Sequence, residues 1–269
     1  MKNQEFVNKE KYTFEDLVKI MELLRAPDGC PWDKVQTHKT LKKCSMEECA
    51  ELMDAIEEDD DPGMCEELGD LLMHVVLHSV IAEERGVFTF DDVVQGISAK
   101  MIRRHPHVFG DEKVKDTSDV LKLWEAVKKQ EHKDDRKSLM DGIPYHCPAL
   151  LQAEKMQKKA AKVGFDWNSQ EQILEKIGEE FNEVKEAFAE GDEEHIDEEL
   201  GDFLFAITNL VRFRKRNSSE DLLAAANRKF VKRFRYIEEK LAEQGKDIEA
   251  VSLEEMDSLW NEAKKKGIK

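Results

Sequence analysis

The chain has 269 residues, enough for one large or two modest domains; 38% of them are charged and only 7% aromatic. The balance is acidic, a formal −17 at pH 7, so the surface repels nucleic acids and anionic membranes, and a polyanionic substrate can be held only with the help of cations. The five cysteines (Cys30, Cys44, Cys49, Cys65 and Cys147) are scattered and form no C-x-x-C pair, which speaks against a disulfide framework or zinc knuckle. No apolar run approaches the roughly 18 residues that cross a bilayer, so a soluble cytoplasmic protein is expected.

Apolar residues recur at intervals of three and four almost throughout, and alternating strand patterns are missing, which predicts an all-α protein. In chain order, helices are expected between breaks at "APDGCPWD" (26–33), "DDDPG" (59–63), "RGVFTFDD" (85–92) and "HPHVFGD" (105–111). The stretch 130–149, charged and then carrying Pro144 and Pro148, reads as a domain boundary. It implies an N-terminal domain over 1–139, a linker over 140–149 and a C-terminal domain over 150–269. Within the last, "VGFDWNS" (163–169) and "EGDEE" (190–194) mark further breaks.

"EELGD" occurs at Glu66–Asp70 and again at Glu198–Asp202. Around it, "MEECAELMDAIEEDDDPGMCEELGDLL" from Met46 lies without a gap over "GEEFNEVKEAFAEGDEEHIDEELGDFL" from Gly178, an offset of 132. Downstream, "AKMIRR" (99–104) resembles "RKFVKR" (228–233), and "LWEAVKK" (123–129) resembles "LWNEAKK" (259–265). Two copies at so long a period describe a tandem domain duplication rather than a solenoid.

The acids common to the two copies include Glu47, Glu48, Glu51, Glu67 and Asp70, matched by Glu179, Glu180, Glu183, Glu199 and Asp202. Residues three apart are neighbours on a helix, so Glu180 with Glu183, and Glu199 with Asp202, form two carboxylate pairs. The expected core stripes run through Ile177, Phe181, Val184 and Phe188 on one helix, and through Leu200, Leu204, Ile207 and Val211 on the next, with the acids beside them. An antiparallel hairpin would bring four carboxylates into one small volume. Like charges ~4 Å apart repel by ~1 kcal/mol in water and ~4 kcal/mol at an intermediate dielectric, so the cluster calls for a cation. All-oxygen donors suit Mg²⁺ or Mn²⁺. A solvated acidic surface or a structural ion-pair lattice remains the alternative. No histidine follows a Glu by three residues, as a di-iron bundle needs, no EF-hand loop can be placed, and no glycine-rich phosphate loop occurs.

The pattern E-E-x-x-E followed sixteen residues later by E-x-x-D, present in both copies, resembles the signature of the MazG nucleoside triphosphate pyrophosphohydrolases. The strings "GCPWDKVQTHKTL", "RRHPHVFGD", "AEKMQKKAAKVGFDW" and "KFVKRFR" also resemble that family, in its tandem-domain form. The resemblance implies two all-α NTP pyrophosphatase helical bundles, Mg²⁺ dependence with Mn²⁺ as a substitute, and hydrolysis of NTPs or dNTPs to a nucleoside monophosphate and pyrophosphate in nucleotide-pool house-cleaning. It also implies a homodimer. By match to the motif, Glu180, Glu183, Glu199 and Asp202 would be the catalytic metal ligands, with Glu48, Glu51, Glu67 and Asp70 as the first-copy set. Lys176, Glu179, Asn227, Lys229, Arg233 and Trp260 would contact the nucleotide. Lys229 and Arg233, four apart on one helix face, can present two positive ends to a triphosphate, although "NRKFVKRFRY" is equally a cationic solvated helix.

The first copy keeps every motif acid, and Lys100 and Arg104 align with Lys229 and Arg233. It has Ser98 in place of Asn227, His74 in place of Ala206, and a proline where the second copy continues a helix, so the second copy is expected to carry most of the activity. His74 and His78 are expected to pack rather than bind a metal, for want of a third ligand. Trp32 suits either closure over a base or anchoring of its loop. A nucleotide-binding regulator on a degenerate scaffold is the competing function.

Overall fold

The computed structural model describes residues 4–7, 9–131 and 137–268. Among them there is no strand, as the three-and-four periodicity predicted. The chain divides into two compact units, Met1–Glu131 and His132–Lys269.

In the first unit, α1 (Gln4–Val7), α2 (Phe14–Arg25) and α3 (Pro31–Val35) precede α4 (Lys42–Glu57) and α5 (Asp61–Glu84). Then come α6 (Phe90–Arg104), α7 (Pro106–Phe109) and α8 (Thr117–Glu131). Helix starts follow from capping chemistry: the Thr13 and Thr89 hydroxyls accept the backbone N–H of Asp16 and Asp92, whose carboxylates reach back to the cap. Asp60 caps α5 ahead of Pro62, which lacks the N–H a helix interior would need. Met21 of α2, Leu41, and Val76, Leu77, Val80 and Ile81 of α5 form the core. Pro106 separates α6 from α7, as the break at "HPHVFGD" predicted.

In the second unit, α9 (Ala149–Ala161), α10 (Gln170–Glu190), α11 (Glu193–Arg214) and α12 (Ser219–Glu243) are followed by a 3₁₀ turn (Ile248–Ala250) and α13 (Leu253–Lys265). Gly191, at φ 76°, ends α10 in a left-handed conformation that costs glycine little, and Asp192 at once caps α11, so the two helices fold back on each other. Ile237 and Leu241 of α12 pack with Leu259 of α13. The buried Glu154 carboxylate of α9 accepts the Ser219 N–H at 2.6 Å and the Lys158 ammonium at 2.9 Å, tying α9 to the first turn of α12. Lys159 donates to the carbonyls of Leu139 and Asp141, so the segment before α9 lies against this unit.

Of the expected core stripes of the hairpin, only Val184 is buried. On α10 the buried row is Ile173, Glu180, Val184 and Ala187, whereas Phe181 and Phe188 are 51% and 60% exposed. On α11 the buried positions are Ile196, Thr208 and Arg212, and Leu204 is 57% exposed. Each helix carries apolar residues on two sides, and α9 covers α11 on only one of them. Periodicity finds the apolar positions without saying which side the rest of the domain covers.

Candidate metal and nucleotide site

Glu180 therefore sits within the buried row of α10, in register with Ile173 and Ala187, rather than beside the stripe. It is 8% exposed. Across the hairpin, Glu199 and Asp202 of α11 bring their oxygens to it, so that one oxygen from each of the three carboxylates lies within 4.8 Å of the others. Glu183, one turn along α10, borders this group. Lys176 draws its pKa down most strongly, but desolvation and the charges of Glu180 and Glu199 outweigh that pull and leave it raised. The Lys176 ammonium is 3.0 Å from Glu180, 3.5 Å from Glu179 and 3.9 Å from Glu183, so a side-chain cation partly neutralises the cluster. Its own pKa is raised, mainly by the hydrogen bond to Glu180. His195 lies 3.1 Å from Glu190 and 3.2 Å from Glu199; the Glu190 contact first, then Glu199, raises its pKa. The i,i+4 spacing of His195 and Glu199 is the sequence signal for this contact.

The first unit repeats the arrangement. Glu48 of α4 and Glu67 and Asp70 of α5 again place one oxygen each within 4.8 Å of the others. The Glu67 pKa is raised by burial and then by Glu51, Asp70 and Glu48. Both groups fit a hard divalent cation: the donors are all carboxylate oxygens, and two oxygens on opposite sides of Mg²⁺ are about 4 Å apart given its ~2 Å bonds. Glu51 and Glu183 lie at the edges of their groups. The first unit also holds a histidine that the sequence did not connect to its neighbours: His38 Nδ1 is 2.9 Å from His78 Nδ1. His74 turns instead to Ser45, at 3.2 Å, and lies 3.9 Å from Glu48. His74 is buried, and burial followed by the nearby histidines lowers the pKa of His78. Trp32 is exposed and is not among the described residues that pack on the core of its unit.

The expected nucleotide residues fall into two sets. Lys176 and Glu179 belong to the acidic hairpin. Asn227, Lys229 and Arg233 lie along α12, the first two exposed. Arg233 stacks over Trp260 of α13, 5.5 Å from the ring centroid, and donates to the Ile268 carbonyl at 3.0 Å. Phe230 packs on the same indole at 5.1 Å. Lys229 and Arg233 line a shallow groove along α12 with Arg228 and Lys232, a run of positive charge in an acidic chain.

The model of the MazG nucleotide pyrophosphohydrolase domain matches the chain twice, over residues 36–109 and 168–237, so that each match contains one acidic group. The chain belongs to the MazG family. A Thermotoga maritima protein named nucleoside triphosphate pyrophosphohydrolase/pyrophosphatase MazG is 47% identical over 93% of this chain and 95% of its own length. An Escherichia coli nucleoside triphosphate pyrophosphohydrolase is 41% identical over 94% of this chain and 97% of its own length. YabN of Bacillus subtilis, named as an uncharacterized protein, is 50% identical over 98% of this chain, which spans only 53% of YabN. As a MazG protein the chain is tandem in both sequence match and fold: each unit builds a helical hairpin whose acids meet across it. No described helix is long and apolar enough to cross a membrane.

Proposed function

We propose that the chain hydrolyses nucleoside triphosphates, ribo or deoxy, to a nucleoside monophosphate and pyrophosphate, as a nucleotide-pool house-cleaning enzyme dependent on Mg²⁺ or Mn²⁺. One observation carries this reading: in both units the motif acids from two helices converge on a single point, at like-charge separations that a bare protein does not favour.

In the second unit Glu180, Glu199 and Asp202 would hold the cation, with Glu183 completing the set. When bound, the cation supplies charge neutralisation at the phosphate oxygens and a lowered pKa for bound water. Lys229 and Arg233 grip the triphosphate from α12, Trp260 holds the Arg233 guanidinium in place, and Lys176, Glu179 and Asn227 border the nucleotide. A carboxylate of the group takes the proton of the water whose oxygen attacks the α-phosphorus, and the bond to the bridging oxygen breaks to release pyrophosphate. The second unit carries most of the turnover.

The protein works as a homodimer. Leu174, Phe181 and Phe188 recur at intervals of seven on α10 and are all more than half exposed, which lines them up as one apolar stripe on that helix; Leu204 of the neighbouring α11 is exposed as well. A second copy covering this stripe would exclude water beside the acids.

The decisive experiment measures pyrophosphate release from NTPs and dNTPs with and without Mg²⁺, using the intact protein and a Glu180→Gln, Glu183→Gln variant. Metal-dependent release that the variant loses supports the proposal. No release from any nucleotide, with thermal stabilisation by NTP still present, favours a nucleotide-binding regulator.

A further inference from the structure

A hollow of about 400 Å³ opens in the second unit between α9, the turn at 163–167 and α11, within the size range of small-molecule sites. Phe165, Trp167 and Phe205 supply aromatic walls, and Gln157, Asn209 and Arg212 supply the polar groups. None of these six belongs to the metal or phosphate machinery.

Gln157 is 7% exposed. Its Nε2 donates to the Phe205 carbonyl at 2.9 Å, which sets the orientation of the amide, because flipping it would place two acceptors face to face. That leaves Oε1, buried and without a hydrogen-bond partner among the described residues. A buried carbonyl oxygen left unpaired is unfavourable enough to imply a ligand or water that donates to it. On the opposite wall, Arg212 donates from Nη1 and Nη2 to Asp166 at 3.1 and 2.5 Å, and from Nε and Nη2 to Asn209 Oδ1 at 2.8 and 2.6 Å. Four of the five guanidinium N–H groups are thereby engaged, and the group occupies the oxygen of Asn209 so that the Nδ2 amide protons remain to donate. One acceptor and one donor, set among aromatic faces, match a flat heterocycle that carries an N–H next to a ring acceptor.

The hollow also lies in line with the acids. Asn209 follows Asp202 by seven residues, two turns along the same face of α11 and about 10 Å along its axis.

We propose that this hollow is the nucleobase subsite: the base stacks on Phe165 and Trp167, donates an exocyclic or ring N–H to Gln157 Oε1 and accepts from Asn209 Nδ2. The assignment rests on the nucleotide hydrolase reading and extends it from the phosphates to the base. Stacking tolerates every base, so the site favours bases that carry the N–H donor without singling out one of them.

The test compares ATP with purine riboside triphosphate, which lacks only the 6-amino donor, as substrates of the intact protein and of Gln157→Leu and Phe165→Ala variants. Expected are a KM for the purine analogue about tenfold above that for ATP, a Gln157→Leu variant that raises the KM for ATP about tenfold and narrows that preference, and a Phe165→Ala variant that raises KM for both substrates about tenfold. The Phe165 side chain is 82% exposed, so its loss leaves the fold standing. If wild type and both variants share the same KM values, water fills the hollow and the assignment is overturned, while pyrophosphate release by the wild type keeps the hydrolase reading. If no NTP is hydrolysed, saturation-transfer NMR with adenosine alone decides: transfer to the adenine protons that Phe165→Ala abolishes supports the subsite, and no transfer to wild type overturns it.

Discussion

Arg104 donates hydrogen bonds of 3.0 and 2.5 Å to Glu131, while its counterpart Arg233 has no carboxylate partner among the described residues. Both lie over a tryptophan, Arg104 at 5.2 Å from Trp124 and Arg233 at 5.5 Å from Trp260, so the duplicated scaffold is kept and the charge is not. Arg104 and Arg103 together hold the Glu131 carboxyl down to about 2, so it is ionised at any physiological pH. A guanidinium already paired in this way is a poorer phosphate ligand.

The two copies should therefore divide the work unequally. Glu183→Ala is expected to lower pyrophosphate release by about a hundredfold or more, the scale for one electrostatic group at a reacting centre, and Glu51→Ala by much less. Steady-state turnover of the two single variants checks it, and the reverse order would refute the assignment of the second unit. Glu131→Ala is expected to strengthen nucleotide binding to a protein whose second-unit acids have been replaced, measured by calorimetry.

A divalent cation should stabilise the protein in proportion to its occupancy, by about 2.7 kcal/mol at a hundred times its dissociation constant. In a thermal melt, Mg²⁺ raises Tm and chelation reverses the rise. Lys176→Met removes the ammonium that now neutralises Glu180, so the metal-free protein loses about 0.5–1 kcal/mol, and the gain on adding Mg²⁺ becomes larger than in wild type. An unchanged gain would mean that Lys176 does not share the cation's place.

The Asp166–Arg212 pair predicts an acid limit to stability. The hydrogen bond from Arg212 holds the Asp166 carboxyl below its usual range against the opposing effect of burial. A carboxyl whose folded pKa is depressed contributes its stability above the unfolded pKa, near 4, and that contribution is lost as pH falls through the folded value. Asp166→Asn should flatten this acid limb in urea melts as pH falls through the unfolded carboxyl value near 4 and below it. Arg212→Ala, which leaves a partly buried carboxylate without its partner, should destabilise by about 3 kcal/mol at pH 7.

Charge placed on the open stripe of the hairpin should change assembly before it changes the fold. Phe181→Glu with Leu204→Glu replaces two exposed apolar side chains, so the helical content by circular dichroism stays as in wild type while sedimentation shifts from dimer to monomer. A wild-type protein that sediments as a monomer would remove the proposed interface altogether.

The all-α class, the helix breaks and the duplication were legible in the sequence because they depend on local causes: a period of three and four, capping residues such as Thr89 and Asp192, and a gapless string of matched acids. The meeting of Glu180 with Glu199 and Asp202 was also foreseeable, since a turn as short as Gly191–Asp192 forces the two helices to be antiparallel neighbours. The buried sides of the two helices were not legible for the opposite reason. Phe181 and Phe188 are as apolar as any core residue, and their exposure follows from where α9 and α12 dock.

By itself, then, the chain determined its helices, its two copies and the acids each copy would bring together, all set by interactions within a few turns or across one tight loop. Only the tertiary structure decided that Glu180 lies in the buried row, that Glu131 occupies Arg104, and that Gln157 holds an unpaired oxygen against the aromatic turn at 165–167. Those relations join residues from 27 to 48 positions apart or turn on which helix face is covered. Burial and pairing at that range are fixed by docking of whole elements, which no local pattern encodes.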